Sequence, residues 1–100
     1  MTKIAVAEIV GTFAEDKDAA AVLRREVILP VLAKGGSLEF DFTTVTLTTQ
    51  SFIHALISEA LRVHGEEALS RIQFKECAPA VKDIVETVVQ YVLESRDGDG

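Results

Sequence analysis

Cysteine is nearly absent: the 100 residues contain one, Cys77, so no disulfide can form within the chain. A lone thiol is typical of a reducing compartment, and we expect a cytoplasmic protein. No stretch approaches the roughly 20 consecutive apolar residues that a membrane span needs. The first residues also lack the basic region and apolar run of a secretory signal. These absences predict a protein with no membrane partner.

Basic residues are scarce relative to acidic ones, with 10 Lys and Arg against 16 Asp and Glu and a formal net charge of −6. A surface of that sign repels phosphate backbones and anionic lipid headgroups. We therefore expect neither nucleic acid nor membrane to be the partner, and the charge itself indicates solubility.

A catalytic or metal-binding set is also missing from the sequence. His54 and His64 are ten residues apart on one predicted helix, which places them about 80° apart around its axis, with no further ligand at metal-binding spacing. Cys77 lies between a strand and a helix, where a small half-buried residue is more typical than a reactive thiol. Gly35 and Gly36 lack the spacing of a phosphate-binding loop. We expect no catalytic residue, no metal, no cofactor and no enzyme activity.

The hydrophobic pattern alternates between strand and helix periods. Helix boundaries are indicated by Asp16 or Asp18 as a cap, by Pro30 as a kink or stop near Leu29, and by Gly65 as an end. The predicted strands cover residues 3–9, 37–42 and 71–76, and the predicted helices cover 19–29, 51–64 and 79 onward, with a further short helical turn at 66–70.

The order β-α-β-α-β-α predicts an α/β fold with a mostly parallel sheet. The second strand alternates apolar Leu38, Phe40 and Phe42 with acidic Glu39 and Asp41, so one face of the sheet stays polar. We therefore expect two layers, with the helices mainly on one face. Residues 1–96 form a single predicted domain, and residues 97–100 have the composition of a flexible tail.

The most informative segment is the junction between the second strand and the second helix, residues 40–52. A loop rich in hydroxyl groups leads directly into an apolar helix that Thr48 or Thr49 can cap. The free N–H groups and partial positive charge of a helix start favour a phosphate on Thr48, Thr49 or Ser51. The alternative is that these hydroxyls only cap the helix and fill the turn.

At this junction the chain resembles a known family. The resemblance is to the STAS-like proteins, relatives of the anti-sigma-factor antagonists, and especially to a bacterial group of STAS-like domains without assigned function. It extends over nearly the whole chain in short motifs. The residues on which it rests are Leu38 to Val45, Thr49 to Phe52 and the helix to Leu61, with Gly11 to Phe13, Leu23 and Arg24 upstream and Ile72 to Lys75 and the helix from Pro79 downstream.

The resemblance implies a regulatory module rather than an enzyme. Antagonists of this type bind a kinase of the histidine-kinase-like ATPase fold, which phosphorylates a Ser at the start of the helix and thereby breaks the complex. Their motif reads Asp-Ser-Ser-Gly, and its places fall here on Thr49, Gln50, Ser51 and Phe52. Gln50 takes the place of the usual acceptor and cannot be phosphorylated. Two alternatives follow: Ser51, one residue on, is the phosphoacceptor, or the switch is absent from this chain.

The predicted function is therefore a non-catalytic interaction module whose partner is a histidine-kinase-like ATPase or another signalling protein. The alternative is a domain that senses a nucleotide or another small ligand at the same helix start. The predicted partner-binding residues are Asp41, Thr44, Gln50, His54 and Ser58.

Overall fold

Three parallel strands form the main sheet of the computed structural model, which describes residues 1–98 of the chain. Their order is β1-β3-β5, and β3 lies in the centre. A separate two-stranded parallel sheet pairs β2 with β4. The strands are β1 (Thr2–Ala5), β2 (Phe13–Ala14), β3 (Leu38–Asp41), β4 (Leu47–Thr48) and β5 (Ile72–Lys75).

Helices fill the segments between the strands and follow the last one. The helices are α1 (Val6–Val10), α2 (Lys17–Leu23), a π-helical turn (Arg24–Ile28), α3 (Leu29–Ala33), α4 (Gln50–His64), α5 (Glu66–Arg71) and α6 (Pro79–Gly98). Helix α6 thus extends two residues into the segment predicted as a tail, and residues 99–100 lie outside the described residues.

The main sheet has one apolar face and one polar face, which confirms the predicted two-layer α/β fold. The apolar face contains the cross-strand row Ile4, Phe40 and Phe74, and the rings of Phe40 and Phe74 stack with centroids 5.6 Å apart. On the polar face Lys3 lies beside Glu39, with Nζ 3.5 Å from a carboxylate oxygen. The helices cover the apolar face because period-2 alternation gives the sheet only one side to bury.

Helix α4 is the centre of the helical layer and packs between α2 and α6. Thr49 caps its start, as its hydroxyl accepts from the Phe52 N–H at 3.1 Å. Gly65 ends it with a φ of 63°, a left-handed conformation that glycine adopts without steric cost. Asp16 caps α2 in the same way. These caps were within the predicted alternatives, and α4, β3 and β5 lie where the periodicity predicts them.

The prediction of a first strand through residue 9 is wrong, because the chain turns into helix α1 at Val6. Strand β1 pairs with β3 only from Thr2 to Ala5, and β3 itself ends at Asp41, the partner of Ala5. No ladder partner remains beyond that point. A short apolar run has no periodicity that separates strand from helix, so the sequence does not show the change.

Pro30 does not end the helix, contrary to one of the two predicted outcomes. The helical segment runs from Lys17 to Ala33, and a π-helical turn, Arg24–Ile28, immediately precedes the proline-containing α3. The Leu29 N–H donates to the Arg24 carbonyl oxygen, five residues back. The wider turn accommodates the missing N–H donor and the bulk of the proline ring, which would disrupt a regular α-helix.

The sequence pattern predicts loops for both segments of the small β2–β4 sheet, so this sheet is a finding of the structure. Each strand has two residues, too few to show alternation. The pairing places Phe13 beside Leu47 and Ala14 beside Thr48, and it ties the loop that precedes α4 to the N-terminal part of the chain.

Candidate functional site

The connection between β3 and α4 begins with a tight turn around Asp41. The Asp41 carboxylate accepts from the Thr43 hydroxyl at 2.6 Å and from the Thr43 N–H at 2.9 Å. These bonds favour the ionised carboxylate, and the pKa of Asp41 is lowered from its ordinary value of 3.8, chiefly by the Thr43 hydroxyl. The carboxylate therefore orders the first residues of the loop.

The next residue, Thr44, has an uncommon backbone conformation. Its φ is 67°, and the turn around it is closed by the Val45 N–H, which donates to the Phe42 carbonyl oxygen at 2.9 Å. A β-branched residue in the left-handed region stores strain of about 1–3 kcal/mol. Phe42 and Val45 on either side are buried, and their packing holds Thr44 in this conformation with its side chain exposed.

Two of the three predicted phosphoacceptor hydroxyls already have structural partners. The Thr48 side chain is 9% exposed, and its hydroxyl donates to the Ala14 carbonyl oxygen at 2.8 Å. The Thr49 hydroxyl is the cap of α4. Ser51 differs from both, because it is exposed and lies in the first turn of the helix.

A groove runs along the outer side of α4 between the α2 segment and α6, with a volume of about 610 Å³. Its base is one stripe of α4, and its two walls are the flanking helices. The lining residues are Gln50, Ser51, His54, Ala55, Ser58, Glu59 and Arg62 from α4, Lys17 and Arg24 from the α2 segment, and Thr87, Val88 and Tyr91 from α6. We call this feature the α4 groove.

Positive charge predominates in the α4 groove, although the protein is acidic. Of the side chains that the structure describes, Lys17, Arg24 and Arg62 line it together with one carboxylate, that of Glu59. Arg24 is fixed in position, because its Nη1 donates to the Ala55 carbonyl oxygen at 3.3 Å. This bond also ties the π-helical turn to α4, so the wall and the base of the groove are joined.

The structure brings four of the predicted partner or phosphoacceptor residues into this groove: Gln50, Ser51, His54 and Ser58. Asp41 and Thr44 are not among its lining residues and lie at the turn after β3.

Sequence reasoning missed the residues that α2 and α6 contribute. Lys17 and Arg24 are seven residues apart, so they share a helix face, and this signal was present in the sequence. Nothing in the sequence indicated that this face would border α4.

Outside the α4 groove, the reactive groups of residues 1–98 do not assemble into a second site. Burial raises the pKa of the Cys77 thiol, and Lys82 offsets this only in part. A raised pKa disfavours the nucleophilic thiolate. Within the part of the chain that the structure describes, no three His, Cys, Asp or Glu side chains come together to hold a metal ion.

None of the helices in residues 1–98 combines the length and apolar character needed to cross a membrane.

Comparison with known families identifies the class of protein. A family model described as a STAS-like domain of unknown function (DUF4325) matches residues 19–82. The match extends from α2 through the junction and α4 to the start of α6, and therefore includes most of the α4 groove. The chain belongs to this family of STAS-like domains. No curated protein and no solved structure matches it.

Proposed function

We propose that this STAS-like domain is a non-catalytic, cytoplasmic regulatory module that binds a signalling protein, a histidine-kinase-like ATPase, through the α4 groove. STAS-like domains are generally non-catalytic. The observation that supports the proposal is the convergence of Gln50, Ser51, His54 and Ser58 in one groove. Gln50 and Ser51 are exposed and His54 is half-buried, so these three side chains can reach a partner, whereas Ser58 is buried at 4% exposure and lies at the floor of the groove.

Ser51 is the proposed phosphoacceptor of this module. Its side chain is exposed, whereas Thr48 and Thr49 use their hydroxyls within the fold. Ser51 also lies in the first turn of the 15-residue helix α4, which has no acidic side chain there. A phosphate at this position would be favoured by the helix dipole and would change the charge of the groove by nearly two units.

The test is the affinity for purified histidine-kinase-like ATPases of the source organism, measured by titration calorimetry with the chain and with Ser51→Asp. We expect Ser51→Asp to weaken binding about tenfold or more while the far-UV spectrum stays unchanged, because acidic residues are tolerated at helix starts. Ser70→Asp is the matched control, since Ser70 is exposed on α5 and does not line the α4 groove. Equal affinities for the chain and Ser51→Asp would contradict the proposed switch.

A second candidate function, sensing of an anionic small ligand such as a nucleotide, is supported by the three cationic side chains of the groove. A bound ligand raises the melting temperature by mass action. A thermal-shift measurement with ATP and GTP distinguishes the two functions: a ligand-sensing domain is stabilised by a nucleotide, and a pure protein-binding module is not.

A further inference from the structure

The α4 groove and the rest of the surface have opposite charge. The chain has 16 acidic and 10 basic residues, yet among the residues that the structure describes three basic ones and one acidic one line this groove. The concave surface of the α4 groove therefore has a net positive formal charge. Such a cleft attracts groups of the opposite sign and guides their approach.

The two walls of the groove differ in chemistry. The wall formed by the α2 segment presents Lys17 and Arg24. The wall formed by α6 presents Thr87, Val88 and Tyr91, with no charged lining residue among the described side chains of this helix, and Tyr91 is 64% exposed. Tyrosine is among the residues enriched at binding hot spots. A complementary segment would have acidic groups on one side and apolar groups on the other.

The shape of the groove indicates the conformation of such a segment. The stripe from Gln50 to Arg62 spans twelve residue steps, about 18 Å along the helix axis. All lining residues within the described part of the chain belong to helices, and these residues offer no strand edge with which an extended peptide could pair. A helix satisfies its own backbone hydrogen bonds and needs only side-chain contacts, as in helix-in-groove recognition.

Resting on the proposed function, we propose that the partner inserts an acidic amphipathic helix into the α4 groove, with its carboxylates toward Lys17 and Arg24 and its apolar side toward Tyr91. This arrangement gives the switch at Ser51 a physical basis. A phosphate on Ser51 adds negative charge to the same groove, so it repels the acidic helix that the unmodified groove attracts.

The probes are three synthetic amphipathic helical peptides of about 14 residues, long enough for the 18 Å stripe. They share one apolar face of Leu and Phe, and the other face has Glu in the first peptide, Gln in the second and Lys in the third. Fluorescence anisotropy gives their affinity for the full chain, and amide chemical shifts show where they bind. We expect the Glu peptide to bind most tightly, with its shifts confined to residues of the α4 groove and with affinity that falls as salt rises.

Variants of the chain test the two walls separately. Lys17→Glu is expected to weaken binding of the Glu peptide about fivefold or more, and it should fold, because Lys17 is exposed in the first turn of α2, where an acidic residue is favourable. Lys75→Glu is the matched control, because Lys75 is exposed at the end of β5, away from the groove. Tyr91→Ala is expected to weaken all peptides through loss of apolar contact.

Equal binding of the Glu and Gln peptides, chemical shifts outside the groove, or an unchanged affinity for Lys17→Glu would each overturn the acidic-helix proposal. So would saturation of the groove by ATP together with no binding of the Glu peptide. The same variants used with the ATPase partner separate the two proposals. If Ser51→Asp weakens that complex and Lys17→Glu does not, the acidic helix is wrong and the proposed function stands; if neither has an effect, the proposed function fails as well.

Discussion

The two sides of helix α4 serve different purposes within the same 15 residues. The side toward the sheet is entirely apolar and fully buried, with Phe52, Ile53, Leu56, Ile57, Ala60 and Leu61 all at 0% exposure. The side toward the α4 groove is polar and charged except for Ala55. The inner side therefore determines where the helix packs, whereas the outer side is less constrained by the core and is the side to which the proposed partner binds.

The same division holds for neighbouring residues in the sequence. Ser51 is exposed in the groove, and Phe52, the next residue, is fully buried. Because α4 packs at the centre of the helical layer, changes on its inner side should affect the whole fold, and changes on its outer side should affect binding alone. Substitutions along this one segment test that separation.

The largest effect is expected for Phe52→Ala. Removal of a fully buried phenyl ring should lower the free energy of unfolding by about 3–5 kcal/mol, through lost transfer energy and the cavity that remains. Urea denaturation measures this loss. Ser51→Ala is the matched control on the outer side and should change stability by about 0.5 kcal/mol or less. A loss below about 1 kcal/mol for Phe52→Ala would show that the ring is not part of the core.

An intermediate effect on stability is expected at Thr49, the N-cap residue that joins α4 to the preceding loop. Thr49→Ala removes the acceptor of the Phe52 N–H and should cost about 0.5–2 kcal/mol of stability in the same denaturation experiment. Thr49→Ser retains the hydroxyl and should stay close to the unsubstituted chain. If Ala and Ser at this position are equally stable, the hydrogen bond between Thr49 and Phe52 contributes nothing to the fold.

The smallest effect on stability is expected at Asp41, which is the last residue of β3 and does not belong to α4. Its pKa is lowered in the folded state, so ionised Asp41 stabilises the fold at pH values above its unfolded pKa, and this contribution disappears as the pH falls through the folded value. Thr43→Val removes the hydroxyl donor and should raise the pKa of Asp41 toward 3.8, measured by the carboxyl carbon shift. Thr46→Val should leave the titration unchanged, because the Thr46 hydroxyl donates to the Thr12 carbonyl oxygen rather than to Asp41. Identical midpoints for both variants would refute the assigned cause.

Much of the fold could be predicted because the longer elements have a clear period. Alternation identified β3, and the stripe that includes Phe52 and Leu61 identified α4 together with its buried side. Cap chemistry restricted the start of α4 to Thr48 or Thr49, and the structure selects Thr49. Short elements were missed: strands β2 and β4 have two residues each, and α1 lies within a run of apolar residues that suits either strand or helix.

The site could be predicted only in part. The residues that α4 contributes were predicted, and those that the neighbouring helices contribute were not. Ser51 and His54 were named from the sequence because both lie on α4, at or just after the junction where the resemblance is most informative. Lys17 and Tyr91 were not named, although their residue types suit recognition. Each belongs to another helix, 34 and 40 residues from Ser51 along the chain.

The sequence by itself determined most of the buried residues of the longer elements, β3, β5, α4 and α6, because hydrophobic spacing is a local property that follows the period of the backbone. Only the tertiary structure decided that Lys17 and Arg24 on one helix and Tyr91 on another would enclose the outer side of α4. Which helices become neighbours depends on the sum of many packing contacts across the core. A cationic groove on an acidic protein therefore arises from packing, and no single segment contains it.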